Sequence, residues 1–324
     1  VIVNKVTDLK IYLFINIIST LMMGLLDDFT VWTILRLISG ITSGTVFVLA
    51  SNVALEALRV AKKDGISGLL YSGVGLGIFT SSIFIFIYTS ADTWKMTWIV
   101  LSLFSLIMGS FVLFGMRENP ITENEDSNSS NNTNNVAVKL KKKFIWGFSI
   151  AYFCEGAGYI ITGTFLVAIV KSIPELADYA ALSWMFVGLG AIPSTILWSM
   201  MANKLGHAKA IYLAFILQII AVVLPVFSGS MMSLVISSLF FGATFLGLTT
   251  LFMSKAQTLM FESASKINLV ASLTVIYSLG QMIAPAFSGV LIGESGNYNA
   301  ALIFAAVILC IGLLSSFYSY RVTD

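Results

Sequence analysis

Apolar residues fall along this chain in continuous runs of about twenty, the length a helix needs to cross the hydrocarbon of a bilayer. Ten such runs, bounded by charged or turn residues, lie at 11–26, 31–53, 66–89, 94–116, 144–170, 178–202, 208–227, 231–253, 268–292 and 298–320. Their apolar positions are unbroken and do not alternate with period two, which selects helices over a barrel. The pattern predicts an all-α polytopic membrane protein. One long polar interval interrupts the series. Residues 117–143 pass through Glu123, Glu125 and Asp126 and an Asn/Ser tract, then end in the basic cluster Lys139, Lys141, Lys142 and Lys143. Low-complexity sequence of this kind cannot bury a core. It is read as a linker joining an N-terminal half, 1–116 with four spans, to a C-terminal half, 144–324 with six. Its lysines could also meet lipid headgroups, as juxtamembrane charge ordinarily does.

Composition sharpens the picture by exclusion. The 324 residues are 57% hydrophobic and only 10% charged, and their mean hydropathy is +0.92. A soluble domain is about 25% charged. A soluble globule, a disordered chain and a disulfide scaffold are therefore all excluded. A net charge of +2 gives no case for nucleic acid as a partner. The single histidine, His207, and two cysteines in apolar runs, Cys154 and Cys310, supply no metal motif, disulfide framework or Ser-His-Asp triad. Neither cofactor nor metal is expected.

The distribution of Lys and Arg gives orientation. Of the 18 such residues, alternate loops on one side hold 15, the opposite loops hold only Lys95 and Lys171, and Arg36 lies inside a span. By the positive-inside rule both chain ends and the linker are expected on the cytoplasmic side of the cell membrane. Trp32, Trp94, Trp98, Trp146 and Trp198 sit near span ends, as an interfacial belt requires, while Trp184 lies deeper.

The two halves repeat. Asn4-Lys5-Val6 and Lys10 match Asn203-Lys204-Leu205 and Lys209, Gly40-Ile41-Thr42 matches Gly242-Ala243-Thr244, and Tyr71-Ser72 matches Tyr277-Ser278. The offset rises slowly from 199 to 206. Residues 144–199 then have no counterpart in the first half, so about 55 residues, two spans, are expected to be missing before Val1.

Two six-span halves, a central linker and several local motifs resemble the major facilitator superfamily. The stretch Ser199 to Lys209 resembles the family's loop motif Gly-x-x-x-Asp-Arg-x-Gly-Arg-Lys, with Asn203 in place of the acid, Lys204 as the first base and Gly206 kept. Asn4-Lys5 resembles its first-half copy, and both copies lack the acid. Arg36 followed by Gly40 and Gly44 resembles the fourth-helix motif that the family associates with proton coupling. Gly73, Gly75 and Gly77 resemble the fifth-helix antiporter motif, with Ile78 where a Pro is expected. Tyr152 to Tyr159 and Gly163 to Leu166 resemble the YbfB-like bacterial group. The resemblance implies a secondary transporter of a small organic solute, working by alternating access, and not an enzyme. Its implied partners are the lipid bilayer, the small-molecule substrate and protons, with the chain read as a monomer.

Two charges stand out as intramembrane. Glu155 is about twelve residues into its span, where an acid costs roughly 2.5–3.5 kcal/mol on insertion scales. A carboxyl group there can load and release a proton as access alternates, or bind substrate, and the alternative is a structural acid bonded to a neighbouring helix. Arg36 cannot discharge. It is a candidate for substrate or proton coupling, or else it snorkels outward toward Asp27 and Asp28. The glycines 40, 44, 73, 75 and 77 serve helix packing, gating, or both. Asn52, Gln218, Tyr277 and Gln281 are candidates for lining a cavity, with interhelical hydrogen bonding as the competing role. No Gly-x-x-x-x-Gly-Lys-Ser/Thr loop is present to use ATP. Two other readings stay open, a truncated remnant that does not transport and an integral membrane enzyme, although the latter would want clustered carboxylates or histidines at one face.

Overall fold

The structure is a computed structural model that describes residues 5–60, 68–88, 94–116, 142–262, 269–293 and 296–321. Among these residues the chain forms α1 (Lys5–Leu25), α2 (Phe29–Val60), α3 (Gly68–Tyr88), α4 (Trp94–Gly115) and α5 (Lys142–Lys171). It continues with α6 (Ala180–Leu205), α7 (His207–Phe227), α8 (Met231–Glu262), α9 (Leu269–Ile292) and α10 (Tyr298–Arg321). All ten helices are long and apolar enough to cross a membrane. Each coincides with one of the apolar runs. Of the linker, only Lys142 and Lys143 are described. Lys139, Lys141 and Asn4 lie outside the described residues.

Helix ends depart from the apolar runs in an instructive way. α2 and α8 continue to Val60 and Glu262, well past the ends of the hydrophobic stretches at 53 and 253. A run of apolar side chains marks where hydrocarbon ends, whereas backbone i to i−4 bonds continue into water unhindered. At the start of α6 a six-residue 3-10 turn, Pro174–Tyr179, precedes the α-helix. Proline is tolerated there because a first-turn N–H has no intrahelical acceptor.

The repeat is visible in the helix boundaries. α2 starts at Phe29 and α8 at Met231, 202 apart.

The chain divides into two compact units, Val1–Leu70 with Phe84–Thr133, and Tyr71–Ile83 with Asn134–Asp324. In the first, α1 packs against α2 and α4, burying Leu9, Ile17 and Met23. Polar bonds stitch the trio. Asn16 donates to the Ser39 carbonyl at 3.2 Å and to the Thr42 hydroxyl at 3.0 Å, and Ser102 donates to the Ile17 carbonyl at 3.1 Å. Asp28 accepts from the Val31 backbone N–H at 2.9 Å, capping the start of α2.

In the second unit α5 lies against α9 and α10, α6 pairs with α8, and α7 packs on α8 and α10. Lipid is as apolar as leucine, so helices in a membrane gain from close packing more than from leaving solvent. Small residues supply that closeness. A Cβ at Gly242 of α8 would lie 2.0 Å from the Val187 carbonyl oxygen of α6, and one at Gly190 would lie 2.2 Å from the Leu239 carbonyl oxygen. Gly247 makes room for the indole of Trp198, whose N–H donates to the Ala243 carbonyl at 2.6 Å. Phe227, Leu314 and Val290 by contrast are largely exposed.

Gly242→Ala should cost about 1–3 kcal/mol through overpacking, read as a lowered unfolding midpoint of the detergent-purified protein. Gly289→Ala, whose Cβ would meet nothing within 4 Å, should instead gain about 0.5–1 kcal/mol from helix propensity. Equal midpoints for the two variants would contradict this account of the α6–α8 contact.

Candidate functional site

Four aromatic residues of α5, Phe144, Phe148, Tyr152 and Tyr159, recur at spacings of four and seven, which aligns them on one helix face. Tyr277 of α9 fits between the last two. Its ring centroid lies 4.5 Å from that of Tyr152 and 5.8 Å from that of Tyr159, nearly parallel to both. The stack continues from Tyr159 to Phe245 of α8 at 5.7 Å. Gly156 permits the arrangement, since a Cβ there would come within 2.6 Å of the Tyr277 carbonyl oxygen and 2.8 Å of its ring. Gly280 does the same from the other side, where a Cβ would lie 2.6 Å from the Phe153 carbonyl oxygen.

Glu155 occupies the position just before Gly156 and is wholly buried. Tyr277 and Gln218 of α7 are the polar side chains that face its carboxyl group. Gln218 is wholly buried too. Neither carboxyl oxygen of Glu155, and neither amide atom of Gln218, has a hydrogen-bond partner among the described residues. Hydroxyls extend the cluster. The Thr249 and Tyr277 oxygens are 3.5 Å apart, and the Gln281 amide nitrogen donates to the Tyr159 hydroxyl.

Burying an amide without a partner costs about 1–3 kcal/mol by mutational measures, and burying an unpaired carboxylate costs far more. A structural acid would be held by donors from a neighbouring helix. Glu155 meets Gln218 of α7 and Tyr277 of α9, polar groups of two neighbouring helices that would serve a structural acid as well as a coupling one. Chemically, the cluster offers one carboxyl group, two amides and several hydroxyls. Such a set can receive a proton, a cation or a polar ligand group.

Arg36 belongs to the first unit. Its guanidinium carbon lies 4.9 Å from the ring centroid of Trp98 on α4 and 5.9 Å from that of Trp32. Trp32 also meets Trp94 and Trp98 edge to face. The alternative of snorkelling toward Asp27 and Asp28 does not match the partners that the structure gives these three residues. Asp27 pairs with Lys95 at 2.6 Å, Asp28 caps α2, and the arginine rests on indole faces, an attraction worth about 0.5–1 kcal/mol where exposed.

The remaining sequence candidates separate. Gln218, Tyr277 and Gln281 join Glu155 in one cluster. Asn52 is exposed on α2. Of the five glycines, only Gly75 makes a close approach, where a Cβ would lie 2.6 Å from the Ile192 nitrogen of α6. Around Gly40, Gly44, Gly73 and Gly77 a Cβ would meet nothing within 4 Å. Asn203 and Lys204 are exposed at the end of α6. Gly206 there has φ +88°, and its N–H donates to the Ala202 carbonyl at 2.9 Å. That left-handed turn between α6 and α7 is why the motif keeps a glycine. Sequence reasoning did not single out Tyr152, Tyr159 and Thr249 as site residues. The spacing of the α5 aromatics was the available signal for the two tyrosines, and Thr249 had none.

Two comparisons match the chain. A family model described as "Uncharacterised MFS-type transporter YbfB" matches residues 4–316. Among solved structures, the chain is similar to a crystal structure of the E. coli fucose:proton symporter, with a TM-score of 0.55 and 11% identity over 98% of this chain and 84% of that one. At that identity the likeness concerns the fold alone. A search of curated proteins gives no match.

Gln218→Leu separates a structural amide from one kept for another purpose. Because the native amide is buried and unbonded, removing it should raise stability by about 1 kcal/mol, seen as a higher unfolding midpoint. A lower midpoint would mean that Gln218 is a structural bond after all.

Proposed function

The chain belongs to the YbfB-type family of major facilitator superfamily transporters, and on that premise we propose that it carries a small organic solute by alternating access, driven by protons that load at Glu155. One observation carries the reading. A wholly buried carboxyl group faces Gln218 and Tyr277 with both of its oxygens unbonded among the described residues. Ionisable residues in membrane spans are costly and mark substrate or ion pathways. When access opens to the side rich in protons, Glu155 takes one up and becomes neutral, which lets it sit among apolar neighbours without a counter-ion. When access opens to the other side, water reaches the group and the proton leaves.

The surrounding amides and hydroxyls then have distinct tasks. Gln218 offers a donor and an acceptor, so it can bond either protonation state of the acid. Tyr277 links the acid to Thr249 and, through its stacked ring, to Tyr159. In this reading both chain ends and the linker face the cytoplasm, as the 15-to-2 split of loop Lys and Arg supports. Arg36 is assigned to holding α2 against α4 through Trp98.

The test uses proteoliposomes carrying the full chain, an imposed pH gradient, and a panel of radiolabelled sugars, amines and carboxylates. Gradient-driven accumulation of at least one panel member by the wild type, reduced at least about tenfold in Glu155→Gln, a barrier change of about 1.4 kcal/mol, is the expected outcome. Accumulation that ignores the gradient would overturn proton coupling. A Glu155→Gln variant that keeps both rate and pH dependence would remove Glu155 from the mechanism.

A further inference from the structure

We propose that the groove between α5 and α10 is a binding site for one anionic phospholipid, its acyl chain lying in the groove and its headgroup phosphate on Lys142, Lys143 and Arg321. The groove has a volume of about 320 Å³ and is lined by Trp146, Gly147, Ile150, Ile311, Leu314 and Tyr318, together with Ser315. Its walls are exposed apolar side chains, with Trp146 at 71% and Leu314 at 67% exposure. In a membrane protein such a face meets lipid. What raises it above an ordinary lipid-facing surface is the chemistry at one end.

The two helices run antiparallel there, and their ends are at the same level. Ser319 donates to the Phe144 carbonyl oxygen at 2.8 Å, and the Tyr320 ring packs edge to face on Phe144 at 5.5 Å. Gly147 brings the backbones close, since a Cβ there would lie 3.1 Å from the Ser315 carbonyl oxygen. Lys143 is one turn before Gly147 and two before Ile150. Lys142 is one turn before Trp146. Arg321 is one turn past Tyr318 and two past Leu314. Helical periodicity thus places all three cations on the groove face, just beyond its aromatic residues. All three are exposed. No ion pair involving any of them is found among the described residues.

The order along the groove matches the order along a phospholipid. Aliphatic side chains come first, for the acyl chain. Trp146 and Tyr318 follow, residues whose amphipathic rings favour the headgroup level. The three cations come last. Basic pockets between membrane helices favour anionic headgroups, with about 1 kcal/mol for each Lys or Arg near the surface. A zwitterionic lipid carries its own ammonium into the same place and gains less. The occupant is therefore an anionic diacyl phospholipid such as phosphatidylglycerol. The site lies within the second unit and stands independently of the role given to Glu155.

Native mass spectrometry of the detergent-purified full chain, titrated with phosphatidylglycerol or phosphatidylcholine of the same acyl composition, tests the proposal. The wild type should bind the first lipid at least about fivefold more tightly than the second, the factor expected of one cation near the surface. Lys142→Ala/Lys143→Ala/Arg321→Ala should abolish that preference. Leu314→Trp, which fills the groove, should weaken binding of both lipids. Lys204→Ala/Lys209→Ala, which removes two cations from the α6–α7 turn, should leave the preference intact. Equal affinities in the wild type would overturn the site, and so would a triple variant that keeps its preference. A Lys204/Lys209 variant that loses as much as the triple variant would show diffuse surface attraction, and would overturn it as well.

Discussion

Everything in the second unit depends on how closely α5 can approach its two neighbours. Gly156 and Gly280 let α5 and α9 come together until Tyr277 enters between Tyr152 and Tyr159. On the other side Gly158 and Gly312 do the same with α10, where a Cβ at Gly158 would fall 2.5 Å from Leu309 and one at Gly312 would fall 2.9 Å from the Cys154 side chain. Glu155 is clamped between these contacts. Its burial is a consequence of glycine positions on three helices. A membrane interior gives helices little reason to associate beyond packing, so the same residues that hold these helices together also set the environment of Glu155.

This coupling of packing to chemistry explains which features were legible in the sequence. Helix count and span positions could be read directly, because hydrocarbon thickness imposes a length that composition alone reveals. Glu155 stood out for the same reason, since an acid is conspicuous among apolar residues. Gln218, Tyr277 and Gln281 were recognised as polar residues in spans, but the meeting of the first two at Glu155, and of Gln281 with Tyr159, depends on which helices adjoin, and no single helix encodes that. Thr249 could not be found, because its relevance comes only from Tyr277 lying next to it. Among the glycines, motif resemblance drew attention to Gly73 and Gly77, yet the close approach falls on Gly75 alone. Gly73 and Gly77, four residues apart, share one face of α3, and Gly75 between them lies on the opposite side, the one that meets α6.

Arg36 illustrates a different limit. Its charge made a carboxylate partner the natural expectation, and two aspartates stood nearby in sequence. The structure satisfies those acids otherwise, one with Lys95 and one at a helix start, and gives the arginine two indoles. Charge pairing is easy to anticipate from sequence, whereas stacking on tryptophan requires knowing that α2 and α4 bring their tryptophans to one level.

The repeated register has a consequence for Gln218. Its counterpart 202 residues earlier is Asn16, and the counterpart of Thr244 is Thr42. In the first unit Asn16 and Thr42 are bonded across the helix pair at 3.0 Å. In the second, Thr244 bonds the carbonyls of Phe240 and Phe241 in its own helix just as Thr42 bonds those of Ile38 and Ser39, but the Gln218 amide does not reach it and has no partner among the described residues. One copy of the duplicated scaffold uses this position as a rivet between two helices; the other turns its amide toward a buried acid instead.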